Sequence, residues 1–452
     1  MKIQDYLNYR YSGPRSRSWV NLLGIVMLRG LGVLLQFAVN IFIARAFGPA
    51  GIGFYQLYNS WMVTIADAGG LGLPVSTMRE VSRHRADGDT RTARSLVKRI
   101  LLLTLGVFIL LLVIGLVLVP WVINTSFQDY VLPPYIQLAL VGSVFFALFR
   151  ILLEAEKACG RPRISVAIES LVLPGMFLIA GVIYFRNAEL SNGETLVAIH
   201  IVALAVITTV FCLRWFKKRV NTGINSGNPG QQRVLQPDLF HIWGGVLANV
   251  ILLNLPFYAL PLVTGTNSIG VFAVSYRIVM VATTLLVVLS SWFGPRIAAA
   301  HARQDVDCIR RELKQARIIS TLVYLPFLLV CLLYGQNILA VFGEAFVGSR
   351  DLLVVLAAGQ LVNALTGVPG LHLNMIGKSR LELYMAACSV LLGMPLCLIG
   401  GFYFGVIGLA VGFSAAIAFK NVGSLLISIR FVSTPTDPKA GNQHLTLKLQ
   451  TQ

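Results

Sequence analysis

The chain has 452 residues, of which 56% are hydrophobic and only 12% charged, with a mean hydropathy of +0.74. A soluble domain carries about a quarter charged residues, so this composition excludes a water-soluble globule and points to a bilayer as solvent. The formal net charge of +18 invites a nucleic-acid partner, but the placement of the charges along the chain argues against one.

A membrane span needs about 20 mostly apolar residues. Twelve such runs follow one another, near 20–44, 54–77, 100–123, 135–156, 164–185, 195–213, 241–263, 270–294, 318–339, 352–375, 382–404 and 408–429. The first is too long for the core of a cleavable leader and has no small-x-small exit site, so it is expected to remain a membrane helix. With the N-terminus placed inside, the inner segments hold 30 of the 37 basic residues. The outer loops hold three (Arg45, Arg186 and Arg350), and four are embedded: Arg29, Arg150, Arg277 and Lys420. Basic residues mark cytoplasmic loops. Both termini are therefore cytoplasmic, the span number is even, and anionic headgroups are the partner of the excess charge. None of the six cysteines falls in an outer loop, so no disulfide is expected. No Cys/His spacing resembles a metal site.

A repeat runs through the chain. "CGRPR" (159–163) and "IGKSR" (376–380) lie 217 apart, as do "GIG" (51–53) and "SIG" (268–270); "RHRADGD" (83–89) and "HARQDVD" (301–307) lie 218 apart. The offset covers six spans, so the halves have the same orientation, an architecture in which transporters place a site between the lobes. The fold expected is all-α and polytopic, about twelve transmembrane helices in two parallel-repeat six-helix lobes around a central cavity. The N-terminal lobe takes 1–213 and the C-terminal lobe 241–430. The polar, basic stretch 214–240 reads as a cytoplasmic linker and 431–452 as a loose cytoplasmic tail. The charged segment 296–317 reads as a surface helix resting on headgroups.

Placing an Arg at mid-span costs about 2.5–3.5 kcal/mol on insertion scales, so such a group faces protein or a wet cavity. Arg29, Gln36 and Asn40 share one face of span 1, and Gln56, Asn59 and Asp67 lie along span 2. Arg277 and Thr284 align on span 8, and Gln360 and Asn363 on span 10. These polar stripes read as cavity walls; for Gln360 and Asn363 an ordinary helix–helix contact is an equal reading. Arg150 and Glu154, at i and i+4, read as a structural ion pair. Arg29 and Arg277 have no acid within a turn of their own helices, so a partner must come from Asp67, Glu169 or a ligand. Asp67 and Glu169 are the candidates for ion coupling. Four cations against three acids leave the cavity positive and suited to anions, and Arg matches phosphate oxygens. His200 and His372 read as packing or hydrogen-bonding residues.

The "ARAFGPAGIGFYQLYNSW" elbow, the "GGLGLPVSTMREVSR" exit of span 2 and the "GRPR"/"GKSR" inner turns carry a resemblance. Together with twelve spans in two halves they resemble polysaccharide transporters of the multidrug/oligosaccharidyl-lipid/polysaccharide exporter superfamily, within it the O-antigen-type lipid-linked oligosaccharide flippases. The resemblance implies a multi-pass inner-membrane protein that turns an undecaprenyl-diphosphate-linked repeat unit to the outer leaflet by alternating access. It also implies a cationic cavity, which Arg29, Arg150, Arg277 and Lys420 could supply. The substrate and membrane lipids are the expected partners, with a polysaccharide polymerase and chain-length machinery as further candidates. No nucleic acid, catalytic residue or cofactor is expected. The chain has no phosphate loop for ATP, so a gradient or downstream consumption must drive the step. A drug antiporter of the same superfamily should have an acidic cavity, and a polymerase or ligase a large outer loop with catalytic side chains.

Overall fold

The computed structural model describes residues 15–86, 89–118, 132–187, 193–217 and 239–433. Most of the predicted linker (218–238) and of the tail (434–452) lies outside these residues. The helices, in chain order, are α1 (Arg15–Gly69), α2 (Leu73–Ala86), α3 (Thr90–Val113), α4 (Pro134–Ala158), α5 (Pro162–Ala167), α6 (Leu173–Asn187), α7 (Gly193–Lys217), α8 (Leu239–Val263), α9 (Thr266–Ala302), α10 (Val306–Ala340), α11 (Arg350–Thr366), α12 (Pro369–Met375) and α13 (Ser379–Ser433). A π-turn at Ile168–Val172 fuses α5 and α6 into one rod, and no strand occurs among the described residues.

Nine helical stretches among the described residues are long and apolar enough to cross a membrane. Two of them, Met27–Gly69 (43 residues) and Ser379–Val432 (54 residues), are too long for one pass of a core about 30 Å thick. Each reverses at a glycine of positive φ, Gly48 (φ 66°) and Gly405 (φ 62°), a conformation that L side chains disfavour. At Gly405 the limbs run antiparallel: Gly400 lies against Gly408, Gly412 against Leu396, and Gly423 against Met385. At Gly48 the reversal shows in the partners. The first limb of α1 runs parallel to α5–α6, and the second runs parallel to α4, meeting it at Tyr58–Gly142 and Asp67–Arg150. Counting each limb as a pass and adding α9 gives twelve. The all-α polytopic membrane fold is as expected, and large apolar side chains such as Leu391 and Phe404 cover its outer surface.

The two halves repeat each other in their contacts. In the first, Gly24, Gly32 and Phe42 of α1 meet Arg163, Ser170 and Gly181. In the second, Gly244, Leu255 and Val263 of α8 meet Leu383, Gly393 and Gly401. Partners are 138 or 139 residues apart every time. Gly160 and Gly377, 217 apart, turn the chain at φ +74° and +75°. Each half also opens its third span with an aspartate cap: Asp89 Oδ1 accepts from Thr92 N and Asp305 Oδ1 from Cys308 N, both at 2.9 Å. The caps pair Asp89 with Asp305, whereas the sequence match had aligned Asp89 with Asp307.

Residues 306–317 are not a separate surface helix. They form the first turns of α10, with Ile309 buried against Ala300 and Val432. Their apolar side chains find protein before they find headgroups. The basic ends of the helices lie together, and the opposite end, with the Gly48 and Gly405 reversals, is called the outer end below.

Candidate functional site

The halves meet along the second limb of α1. Near the outer end Gly53 and Gly270, equivalent in the repeat, lie face to face. A Cβ on Gly270 would stand 1.8 Å from the Pro49 carbonyl oxygen, and one on Gly53 would stand 2.5 Å from that of Thr266. Only glycine permits such an approach. The first limb adds two contacts to the far half: Arg45 Nε donates to Val341 O at 2.8 Å, and Phe37 meets Phe342 edge-on at 5.1 Å. Deeper down, Trp61 packs on Tyr258, Thr64 is hydrogen-bonded to Tyr258, and Trp243 Nε1 donates to Asp67 O at 2.8 Å.

Arg277 lies in this seam. It is eleven residues into α9 from Thr266, about 16 Å along the axis, which is mid-bilayer depth. Its Nε and Nη2 both donate to Gln56 Oε1, at 3.0 and 2.7 Å. Gln56 Nε2 in turn donates to Ser60 Oγ at 3.1 Å. Gln56 and Ser60 are buried. Among the described residues no ion pair includes Arg277, so its half-buried charge rests on a neutral amide.

The other embedded cations face acids. Arg150 pairs with Asp67, not with Glu154 as its spacing suggested; Glu154 instead holds Lys157 at 2.7 Å. Across the bundle Asp67 is the deeper acid, and it reaches Arg150 first. Lys420 Nζ lies 2.7 Å from Glu382 Oε1, and Ser424 Oγ donates to Glu382 Oε2 at 2.7 Å. Glu382 did not figure among the embedded acids in the sequence, because it stands at the end of an apolar run, where headgroups are the natural neighbour. Its burial depends on Gly370, whose missing side chain leaves room for the carboxylate. Arg29 stands 3.8 Å from Glu169, with their side chains 50% and 42% exposed, too long for a hydrogen bond. Both lie near the basic end.

The polar stripes divide differently. Asn40 is buried and donates to Gln36 O at 2.6 Å within its own helix. Asn363 Nδ2 donates to Gln360 Oε1 at 3.3 Å, again locally. Asn59 is half-buried beside Tyr58 and Ser60. The Thr284 side chain lies outside the described residues. His200 sits among Tyr55, Tyr58 and Phe177 and bonds Tyr58 Oη at 3.1 Å; His372 bonds Ser428 Oγ at 2.8 Å. Among the described residues no group of three or more His, Cys, Asp or Glu could hold a metal ion.

Comparison with known proteins agrees with this geometry. The chain superposes on an inward-facing multidrug resistance MATE family transporter of the MOP superfamily with a TM-score of 0.72 at 16% identity, over 89% of this chain and 94% of that one. It superposes on a MOP superfamily transporter from Pyrococcus furiosus with a TM-score of 0.64 at 16% identity, over 92% and 95%. A Vibrio cholerae MATE transporter gives 0.62 at 18% identity, over 90% and 96%. The fold is thus that of a MOP-superfamily transporter. A family model described as "Polysaccharide biosynthesis protein" matches residues 18–301, and the MatE model matches 246–399. The chain belongs to the polysaccharide biosynthesis protein family and is a multi-pass transporter of the cytoplasmic membrane. It is 23% identical over 393 residues to the Shigella flexneri protein described as "Putative O-antigen transporter", covering 82% of this chain and 88% of the relative.

Proposed function

We propose that this transporter is a flippase for a polyprenyl-diphosphate-linked oligosaccharide of the O-antigen type, moved to the outer leaflet by alternating access. The observation that carries the reading is Arg277, a guanidinium at mid-bilayer depth, between the halves, held by an amide rather than a carboxylate. A permanent cation there is costly unless something anionic uses it, and a guanidinium fork fits phosphate oxygens. The half-exposed Arg29 at the basic end, loosely faced by Glu169, is placed to meet a headgroup arriving from the inner leaflet. Arg150 and Lys420 drop out as substrate contacts, since each is already neutralised by an acid. The same pairs occupy Asp67 and Glu382, which a cavity for cationic drugs would need free; the name of the Shigella relative points the same way.

The lipid tail stays in the bilayer while the polar head crosses between the halves, so the chain needs only to shield charge. No bond is made or broken and no cofactor takes part. The test is complementation in a strain lacking the gene. Arg277→Ala should abolish surface polysaccharide and leave the lipid-linked precursor in the inner leaflet, while Arg277→Lys should keep part of the export. Full export by well-inserted Arg277→Ala would overturn the reading.

A further inference from the structure

Gln56 and Arg277 come from opposite halves, so their bond exists only while the halves meet near the outer end. The glycine contact fixes that geometry: Gln56 is one turn below Gly53, and Arg277 two turns below Gly270. Ser60 accepts from the Gln56 amide nitrogen and so keeps the amide oxygen turned to the guanidinium. A neutral oxygen makes a weaker bond to Arg than an anionic one, by roughly a factor of two. Arg277 is therefore held, and only weakly committed.

We propose that Gln56 is a neutral placeholder for a diphosphate oxygen on Arg277, and that anion binding there is coupled to the parting of the halves. The inference rests on the flippase reading and adds the coupling to it. With the halves together, an anion must displace Gln56 to reach Nε and Nη2. With the halves apart, those donors are free. The anion thus binds the parted state better, and a ligand shifts an equilibrium by its difference in affinity for the two states. By reciprocity, closing the outer seam returns Gln56 to Arg277 and weakens the hold on the anion.

The test uses the full chain in nanodiscs, with undecaprenyl diphosphate as probe and undecaprenol as the uncharged control. Affinity is measured directly. Separation of the outer ends is read from spin labels at Arg186→Cys and Ala345→Cys, two exposed positions in opposite halves, in a background otherwise free of cysteine. In the wild type the diphosphate should bind and lengthen the label distance, and undecaprenol should do neither. Gln56→Ala removes the competitor: it should bind the diphosphate about tenfold tighter and no longer couple binding to separation. Gln56→Glu supplies a permanent carboxylate and should bind about tenfold more weakly with the outer ends held together. A Gln56→Ala protein that binds no more tightly, or that opens on binding just as the wild type does, would overturn the coupling and leave the flippase reading standing. A wild type that does not bind the diphosphate would overturn both.

Discussion

Lys420 and Glu382 are 2.7 Å apart with only 16% and 9% of their side chains exposed. Removing one member of such a pair leaves an uncompensated charge, at a cost of about 3–5 kcal/mol, whereas replacing both by apolar groups is often nearly neutral. Lys420→Met should therefore lower thermal stability in detergent sharply, and Lys420→Met combined with Glu382→Met should recover most of it. A double variant no better than the single one would sink the structural reading of Lys420. The pair also shows what sequence can and cannot give at this scale. Spacing located Lys420 well inside span 12, and its place among the embedded cations was legible there. The identity of the partner was not, because a helix position fixes depth along its own axis and not which neighbouring helix it faces. The same limit misassigned Arg150, whose i+4 acid lay at hand while Asp67 on another span was closer in space.

At the scale of elements, the aspartate caps explain where α3 and α10 begin, each within a charged stretch and ahead of its apolar run. The Asp89 carboxylate accepts from the side chain and backbone of Thr92, and these bonds hold its pKa below the ordinary carboxylate value. A folded-state pKa lowered in this way means stability that is present above the unfolded value and lost as pH falls through the folded one. Asparagine caps about as well as aspartate but does not titrate. Asp89→Asn should match the wild type in thermal unfolding at neutral pH, and the wild type alone should weaken below about pH 4. Parallel behaviour of the two proteins down to pH 2 would remove Asp89 as the cap. Helix existence was readable from apolar run length: each of the twelve runs lies on helix over most of its described residues, with breaks at 70–72 and 367–368 inside two of them. Two features were not readable: the reversal of the chain at Gly48 and Gly405, where a glycine of positive φ turns one span straight into the next, and the burial of Ile309 and Ala316, which sets one side of 306–317 against protein while most of its charged side chains stay exposed.

For the whole molecule the decisive pair is Gly53 and Gly270. In sequence they appeared only as matching positions of a repeat. In a molecule whose halves are related by a two-fold axis, equivalent residues near that axis must meet each other, so a repeat motif without a side chain marks the place where the halves can touch. The contact belongs to one arrangement of the halves only. A Cβ at Gly270, 1.8 Å from the Pro49 oxygen, meets backbone that cannot rotate away, yet it meets nothing of the kind once the halves separate. Gly270→Ala should therefore insert and fold, hold the outer ends apart, and stop export, since alternation needs both arrangements. Gly245→Ala, where the added carbon finds open space, is the control and should export normally. The label distance between positions 186 and 345 separates the two ways of losing activity. A long distance without any ligand in Gly270→Ala would show that closure itself has been blocked. The closed-state distance together with normal export would mean that the seam can yield by more than an ångström, and that the glycine contact does not gate the outer end.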